Sequence, residues 1–371
     1  MAANSGNVTD RFQMDKFQFQ KPQINLAMPT VGRMWLVSLC AFMVIIQSSL
    51  TDSFSSFFIA LAAVAGAVLT EFLILYKSGR AEALKDGSAV ASALIFALLL
   101  PNHINPVYAA AGAIFAMAVV KHSFGGLGSN WLNPAAGAWL FVRFSWPRLF
   151  ESALEKSPLS LLAESLGRGV SSPQGSPLGI LKIDASSLFA AATPMDGVFR
   201  NFFNNTIFSF TGAELPGGYI DLFASRFSGI IADRGVLALL VGTIIIIATR
   251  VNRSWIPAVY LAVFGILVRF AGALPYGGEL WNGDVLFALC SGGTLVAAFL
   301  LIADPATSAK SSGGIVLISA LGAGIAFLFR FFGAEPYGAI FSVLFINALL
   351  PLLRIIESRC LYEKRGNRRR S

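Results

Sequence analysis

About ten apolar runs, separated by short polar turns and one long polar loop, constrain this chain more than any other feature of its sequence. A helix needs about 20 mostly apolar residues to cross the hydrocarbon core of a bilayer. The composition agrees, because 55% of the 371 residues are hydrophobic, 13% are charged and the mean hydropathy is +0.68. Soluble domains carry about twice that share of charge. The sequence therefore predicts an all-α polytopic membrane protein, with spans at 34–50, 56–76, 87–100, 107–121, 134–146, 235–250, 255–272, 285–303, 314–331 and 337–353.

The few cysteines and histidines argue against several cofactors. The 3 cysteines are scattered without a C-x-x-C pair, which disfavours an iron–sulfur cluster, a zinc site or a disulfide framework held by this chain alone. Only 2 histidines are present, so a haem is not expected either. The net charge of +8 lies partly in the segment that directly follows the last span, which is typical of a topology signal. We therefore expect the lipid bilayer, and no nucleic acid, as a partner.

Basic residues alternate between the turns and orient the spans. Turns rich in Lys and Arg mark the cytoplasmic side, and this rule places both termini in the cytoplasm and the long loop on the outer face. The expected location is the bacterial cytoplasmic (inner) membrane. The predicted organisation is a cytoplasmic segment at 1–33, a first five-helix repeat at 34–146, an outer loop at 147–233, a second five-helix repeat at 234–353 and a basic tail at 354–371.

The two halves resemble one another in where their spans are interrupted. Asp86-Gly87-Ser88 opens a run that stops at Pro101, and Gly292-Gly293-Thr294 leads to Asp304-Pro305. Five spans in each half make the repeats insert with opposite orientation. Broken helices expose backbone N–H and C=O groups at membrane depth, where protein, cofactor, ion or water must satisfy them. The alternative is that Pro101 and Pro305 simply end helices at the interface.

The strongest local motif is the glycine-rich turn from Lys121 to Ala135. Gly125 and Gly126 permit positive φ and close backbone approach. Asn130 and Asn133 add two amide side chains three residues apart. Such a turn can hydrogen-bond the edge of a planar heterocycle such as an isoalloxazine ring, although glycine-rich turns between spans are also common without a ligand.

Several motifs in order carry a resemblance to a known family. They cover nearly all of 34–351 and resemble the D subunit of the Rnf ion-translocating oxidoreductase complex, and more distantly the B subunit of the sodium-pumping NADH:quinone reductase. The motifs are Lys85-Asp86-Gly87-Ser88-Ala89, Phe124-Gly125-Gly126-Leu127-Gly128 through Asn130 to Asn133-Pro134-Ala135, Ala192-Thr193-Pro194-Met195-Asp196, Ser291-Gly292-Gly293-Thr294 through Asp304-Pro305-Ala306-Thr307-Ser308, and Arg330 with Gly333, Pro336, Gly338, Phe341 and Asn347.

The resemblance implies an electron-carrying subunit with two flavins. FMN is attached in this family through its phosphate to a threonine, which corresponds to Thr193. A second flavin, riboflavin, binds without a covalent link, and its amides correspond to Asn130 and Asn133 in the turn with Gly125 and Gly126. The partners implied are the other membrane, flavoprotein and iron–sulfur subunits. No catalytic acid, base or nucleophile is expected in this chain, and no activity is expected without those partners.

This chain departs from the family pattern at two places. Ser187, Ala190 and Ala191 replace residues that precede the flavin threonine in the family. The sixth span normally opens with Gly-Glu-Thr-Ser, whereas Ala232-Asp233-Arg234-Gly235 stands here, which removes a carboxylate or moves it to Asp233.

Two acidic residues are candidates for holding the coupling ion, Na⁺ or H⁺. Glu71 lies inside the second span, where an ionisable side chain is a functional hypothesis by default. The alternative is that Glu71 extends to the cytoplasmic interface near Lys77. Asp304 follows the broken eighth span and either binds the ion or caps exposed backbone groups. Oxygen ligands suit a hard cation.

The leading hypothesis is a membrane subunit of an Rnf-type ferredoxin:NAD oxidoreductase that relays electrons between flavins while the complex moves Na⁺ or H⁺. The alternatives are the related quinone-reductase subunit, a passive channel of the urea or ammonium type, and a structural scaffold. Tightly bound flavin distinguishes the redox subunits from the last two.

Overall fold

The computed structural model describes residues 29–51, 54–79, 81–126, 128–150, 194–206, 230–249, 255–272, 285–309, 311–332 and 337–368, together with positions 209, 223, 251, 274, 280, 281 and 283. In these residues all the regular structure is helical, apart from one isolated antiparallel bridge between Pro101 and Ile230. The α-helices are α1 (Thr30–Thr51), α2 (Ser55–Lys77), α3 (Ser88–Leu98), α4 (Pro106–Phe115), α5 (Pro134–Ser145), α6 (Pro194–Thr206), α7 (Val236–Ala248), α8 (Trp255–Ala271), α9 (Val285–Cys290), α10 (Thr294–Val296), α11 (Ser312–Phe327) and α12 (Gly338–Arg368).

These helices confirm the predicted all-α membrane fold. Within the described residues, 5 helices are long and apolar enough to cross a membrane. Three shorter apolar helices, α3, α7 and α8, fall on further predicted spans. The protein is therefore a multi-pass membrane protein.

Small residues let the helices of each half approach closely. In the first half, α2 packs on α3 and α4, and a Cβ built on Gly66 of α2 would lie 2.9 Å from the Ala110 carbonyl oxygen. In the second half, α8 packs on α11, where a Cβ on Gly322 would lie 3.4 Å from the Tyr260 ring. Close contact of this kind gives membrane helices the van der Waals packing that replaces a hydrophobic driving force.

Among the described helices, two pairs make contacts that join the halves. In the first, α1 packs on α7, and a Cβ on Gly235 would lie 2.3 Å from the Val44 side chain. In the second, α5 packs on α12, where Trp139 is fully buried and its ring meets Phe341 edge-on at 4.9 Å. The core of the molecule is thus continuous across both halves.

The helices are interrupted where the sequence predicted breaks. In the first half, Gly87 has φ of 74° directly before α3, and α3 ends ahead of Pro101. In the second half, Gly292 and Gly293 have φ of 62° and 69° between α9 and α10. At the end of α3, the Leu100 carbonyl accepts a bond from the Ile231 N–H at 2.9 Å. The backbone group left free where α3 ends is thus satisfied by protein, as burial requires.

A second correspondence is a π-helical segment at the same place in each half. Ala116–Lys121 continues α4, and Leu328–Phe332 continues α11. A further π segment, Ala297–Leu301, follows α10. Wide π turns inside helices occur frequently at functional sites. The matching breaks and π segments support a repeat, whereas the opposite insertion of the two halves stays a prediction.

Parts of the predicted basic tail and of the predicted outer loop are helical. Instead of stopping near residue 353, α12 runs through Pro351 to Arg368, so the described part of the basic tail continues the last span. The predicted outer loop contains α6, which begins at Pro194. Residues 151–193 of that loop, including Thr193, lie outside the described residues.

Candidate functional site

The glycine-rich turn connects the π segment that ends at Lys121 to α5. Gly125, Gly126 and Gly128 have φ of 106°, 94° and 86°, conformations that side chains rarely adopt. A Cβ built on Gly126 or Gly128 would meet no atom within 4 Å, so the turn is open on that side. Phe124 and Trp131 are 49% and 42% exposed, and their rings contact each other edge-on at 5.8 Å. The turn therefore offers glycine backbone with open space beside it and two exposed aromatic rings side by side.

Asn133 connects this turn to the second half of the protein. Its Oδ1 accepts bonds from the N–H groups of Ala135 and Ala136 at 3.0 and 3.3 Å, so it caps the N-terminus of α5. Its Nδ2 donates to Asp304 Oδ2 at 3.3 Å. The same carboxylate oxygen accepts a bond from Thr307 Oγ1 at 3.3 Å. Asn133 was predicted to bind a flavin and Asp304 an ion, and the two side chains are thus hydrogen-bonded to each other.

Asn130 differs from Asn133 in having an unused acceptor. Its side chain is 5% exposed, and its Oδ1 has no hydrogen-bond partner among the described residues. Leaving a buried amide oxygen unpaired costs about 1–3 kcal/mol, and such groups in native proteins call for an explanation. A donor from a bound molecule would satisfy this oxygen. The residues present therefore fit a heterocycle that offers an N–H or O–H group.

A second polar cluster surrounds Glu71 of α2. It includes Lys121, the first residue of the same turn. Glu71 is 2% exposed and forms a short ion pair with Lys121, which is also 2% exposed. Lys121 Nζ donates to Ser88 Oγ at 2.6 Å, and Asp86 Oδ1 accepts bonds from the Ser88 N–H and hydroxyl at 2.7 and 2.6 Å. His122 Nε2 lies 3.4 Å from Glu71 Oε1. Glu71 is thus enclosed by protein and paired, whereas its position relative to the cytoplasmic interface stays a prediction.

The second half contains a matching cluster. Arg330, in the π segment after α11, donates to the Ala288 carbonyl, to Thr294 Oγ1 at 2.9 Å and to Ser291 Oγ. Asp233 accepts the N–H groups of Gly292 and Gly293 at 3.2 and 2.9 Å. A carboxylate that faces the start of a helix complements the partial positive charge there.

The environment of Asp233 shifts its titration. Asp233 lies in the 3₁₀ turn Ile231–Arg234, ahead of α7 and outside the spans. Burial raises the pKa of its carboxyl to about 6, while the bonds from the Gly293 and Gly292 N–H groups and the charge of Arg330 act in the lowering direction. Asp233, the residue to which the sequence analysis moved the family's carboxylate as one alternative, thus bonds the break between α9 and α10.

Sequence reasoning used Lys121 only as a basic residue of a turn and Arg330 only as part of the family motif, and it predicted neither cluster. Both lie at the end of apolar spans, where a basic residue is usually a topology signal. The signal that could have identified Lys121 is a lone carboxylate, Glu71, in a neighbouring span, because buried charges are almost always paired.

The fold and these clusters define a class of protein: a polytopic membrane protein with interrupted helices and buried charged groups at the breaks. Residues 18–362 match the model of the NQR2, RnfD, RnfE family. This match covers most of the chain, and the chain belongs to that family. The resemblance predicted from the motifs is therefore confirmed.

Individual relatives agree with the family match. The chain is 30% identical over 315 residues to the D subunit of the ion-translocating oxidoreductase complex of Shewanella amazonensis, covering 82% of this chain and 86% of the relative. It is 28% identical over 296 residues to the D subunit of the proton-translocating ferredoxin:NAD(+) oxidoreductase complex of Clostridium ljungdahlii, with 80% of each chain covered. It is 28% identical over 300 residues to the D subunit of the Na(+)-translocating ferredoxin:NAD(+) oxidoreductase complex of Acetobacterium woodii, covering 81% and 80%. The Clostridium ljungdahlii and Acetobacterium woodii relatives are thus equally identical to this chain, although one is named for a proton and the other for Na⁺.

Proposed function

We propose that this chain is the D-type membrane subunit of an Rnf-type ion-translocating ferredoxin:NAD oxidoreductase. The observation that carries the proposal is the family match over residues 18–362, together with relatives of the D type that cover about four fifths of the chain. The match favours this function over a passive channel or a scaffold. The partners are the other subunits of the complex, which supply the chemistry of ferredoxin and NAD.

FMN attached through its phosphate to Thr193 is the first cofactor of the proposal. Thr193 stands in the family's Ala-Thr-Pro core, and α6 begins at the next residue, Pro194. The start of a helix favours a phosphate group, because unpaired backbone N–H groups and the helix dipole meet there. When bound, the flavin supplies one- and two-electron chemistry, and the protein supplies position and electrostatics.

Riboflavin at the glycine-rich turn is the second cofactor. Asn130 Oδ1 would accept a hydrogen bond from the ring system, and the turn at Gly125 and Gly126 would let the backbone approach it. The exposed faces of Phe124 and Trp131 would cover the ring and exclude water. Asn133 supports the turn by fixing the start of α5 and by its bond to Asp304.

Glu71 and Asp304 are the proposed contacts of the coupling ion. Asp304 lies beside a helix interruption, and Glu71 is buried among the membrane-spanning helices. Buried ionisable groups in membrane proteins mark ion pathways by default. The relatives' names include both a proton and a sodium translocase, so the proposal covers Na⁺ and H⁺.

The proposed orientation places both termini in the cytoplasm of a bacterial inner membrane and Thr193 on the outer face. The basic turns support it, because Lys and Arg are enriched in short cytoplasmic loops. In this arrangement Thr193 lies in the loop after five spans, and the glycine-rich turn lies on the opposite side. The two flavins would then be on opposite sides of the membrane, as an electron relay requires.

The test is to co-express the chain with its partner subunits and the flavin-attaching enzyme, and then run a denaturing gel under ultraviolet light. A fluorescent band that disappears in Thr193→Ala and persists in the matched control Thr206→Ala supports the proposal. Thr206 is the last residue of α6 and belongs to the same predicted outer segment. A dark wild-type band, with the attaching enzyme active on another substrate, would show that Thr193 is not used.

A further inference from the structure

The two halves use the same device at their interrupted helices, with different cations. In the first half, Lys121 Nζ donates to Ser88 Oγ, the first residue of α3, at 2.6 Å. In the second half, Arg330 Nη1 donates to Thr294 Oγ1, the first residue of α10, at 2.9 Å. A cation at a helix N-terminus opposes the helix dipole. Oxygen atoms around each cation must therefore offset that repulsion.

The second cluster is held by several hydrogen bonds. The Arg330 guanidinium bonds three oxygens, and the facing carboxylate of Asp233 accepts two backbone N–H groups. A guanidinium holds its donors in a rigid planar fork that fits several fixed acceptors at once. These bonds connect the π segment after α11 to α9 and α10, and they connect the turn ahead of α7 to the break between α9 and α10.

The first cluster has an unused acceptor. Glu71 Oε1 pairs with Lys121, but Oε2 of the same carboxylate has no hydrogen-bond partner in the described part of the chain, although Glu71 is 2% exposed. A buried carboxylate with an empty oxygen is costly. It is also the kind of ligand that a hard cation prefers. The unpartnered Oε2 therefore points to a positive ligand that uses both oxygens of this carboxylate, which the ammonium of Lys121 does not.

Lys121 can leave this cluster, whereas Arg330 cannot readily leave its own. A lysine ammonium is a compact point charge on a flexible four-carbon stem. Lys121 ends the π segment, and Ser123 and Phe124, which follow closely, are exposed. Rotation of the stem would take the ammonium to the exposed turn, as long basic side chains near membrane interfaces commonly do.

We propose that Glu71 and Ser88 form a site for a small monovalent metal cation such as Na⁺, and that the ammonium of Lys121 occupies it when the ion is absent. The ion and the ammonium exchange, so that one positive charge stays beside Glu71 and the cluster keeps its net charge. Both carboxylate oxygens of Glu71 and the hydroxyl oxygen of Ser88 coordinate the bound ion. The inference rests on the proposed function, since it assigns one step of ion translocation to a residue pair, and it adds Lys121 as the tethered competitor.

The experiment measures how Na⁺ stabilises the purified complex against heat, with choline replacing Na⁺ at constant ionic strength. Lys121→Met removes the competitor but keeps an apolar stem. The half-saturating Na⁺ concentration should fall roughly tenfold or more in Lys121→Met relative to wild type, because the ion then no longer competes with the ammonium for the buried carboxylate. Arg330→Met is the matched control from the second half. It should lower the stability of the complex but leave the half-saturating Na⁺ concentration at the wild-type value.

Two further variants test whether Glu71 binds the ion and whether the mobility of Lys121 matters. Glu71→Gln combined with Lys121→Met removes both charges and should abolish the Na⁺ response. Lys121→Arg keeps the charge in a less mobile group, and it should assemble with a weaker Na⁺ response than wild type even if Lys121→Met does not assemble. The proposal is overturned if Lys121→Met or Lys121→Arg responds like wild type, if the double variant still responds, or if wild type and all variants are indifferent to Na⁺.

Measuring flavin on the same preparations distinguishes a failure of the Na⁺ exchange from a failure of the proposed redox function. The fluorescent band at the size of this chain reports on the proposed redox function. A complex that carries the flavin but shows an unchanged Na⁺ response contradicts the exchange alone. A complex without any flavin contradicts the proposed function, whatever its response to Na⁺.

Discussion

The bond between Asn133 and Asp304 gives a sharp test of how the glycine-rich turn is joined to the second half. Asn133→Ser keeps a side-chain oxygen for capping α5, since Ser caps about as well as Asn, but it removes the amide donor. A hydrogen bond to a charged group contributes about 1.5–3 kcal/mol. At 3.3 Å this one is long, so we expect a loss of about 1–2 kcal/mol. Asn133→Ala also removes the cap, which adds about 1 kcal/mol.

The assay is thermal unfolding of the detergent-solubilised complex. The midpoint should fall from wild type to Asn133→Ser and further to Asn133→Ala. In an Asp304→Ala background, Asn133→Ser should have almost no effect, because the partner of the lost bond is already gone. If Asn133→Ser lowers the midpoint equally in both backgrounds, the bond does not join the halves and the reasoning is refuted.

Asn130, Gly112 and Gly126 give three other tests of the turn and of the helix packing. Asn130→Leu should reduce bound riboflavin about tenfold or more without affecting the covalent band, as measured by flavin extracted per chain; unchanged riboflavin would exclude Asn130 from the site. Gly112→Ala should lower the unfolding midpoint by an amount equivalent to about 1–3 kcal/mol, because its Cβ would lie 2.4 Å from Phe96 Cζ, whereas Gly324→Ala meets no atom within 4 Å and should be neutral; equal effects would contradict the packing. Gly126→Ala should cost about 1–2 kcal/mol through its φ of 94° alone, and riboflavin content should fall with it; a flavin-replete variant of wild-type stability would show that the turn adapts.

The helices and their interruptions could be predicted because they depend on local sequence. Long apolar runs set the spans, and the helix bounds agree with them within a few residues except at the end of α12. Gly87 and Gly293 marked the breaks, since glycine takes positive φ at little cost. Pro351 did not end α12, because neighbouring helices can satisfy the backbone groups that a proline frees.

The side-chain clusters could be predicted only in part. The capping role of Asn133 was present in the sequence, since an Asn followed by a Pro is a common helix start, but the bond to Asp304 joins residues 171 apart. The pair of Glu71 and Lys121 likewise depends on how α2 packs against the end of α4, which no local pattern specifies. Thr193 stays a prediction from the motif, because it lies outside the described residues.

The most direct test of the proposed electron relay is tandem mass spectrometry of the tryptic peptide 183–200 from the assembled complex. This peptide contains Thr193 together with Ser186 and Ser187, so fragment ions distinguish the three hydroxyls. The account predicts the mass of FMN, joined through its phosphate, on Thr193 alone. An unmodified peptide from a complex that transfers electrons, or flavin on either serine, would contradict it.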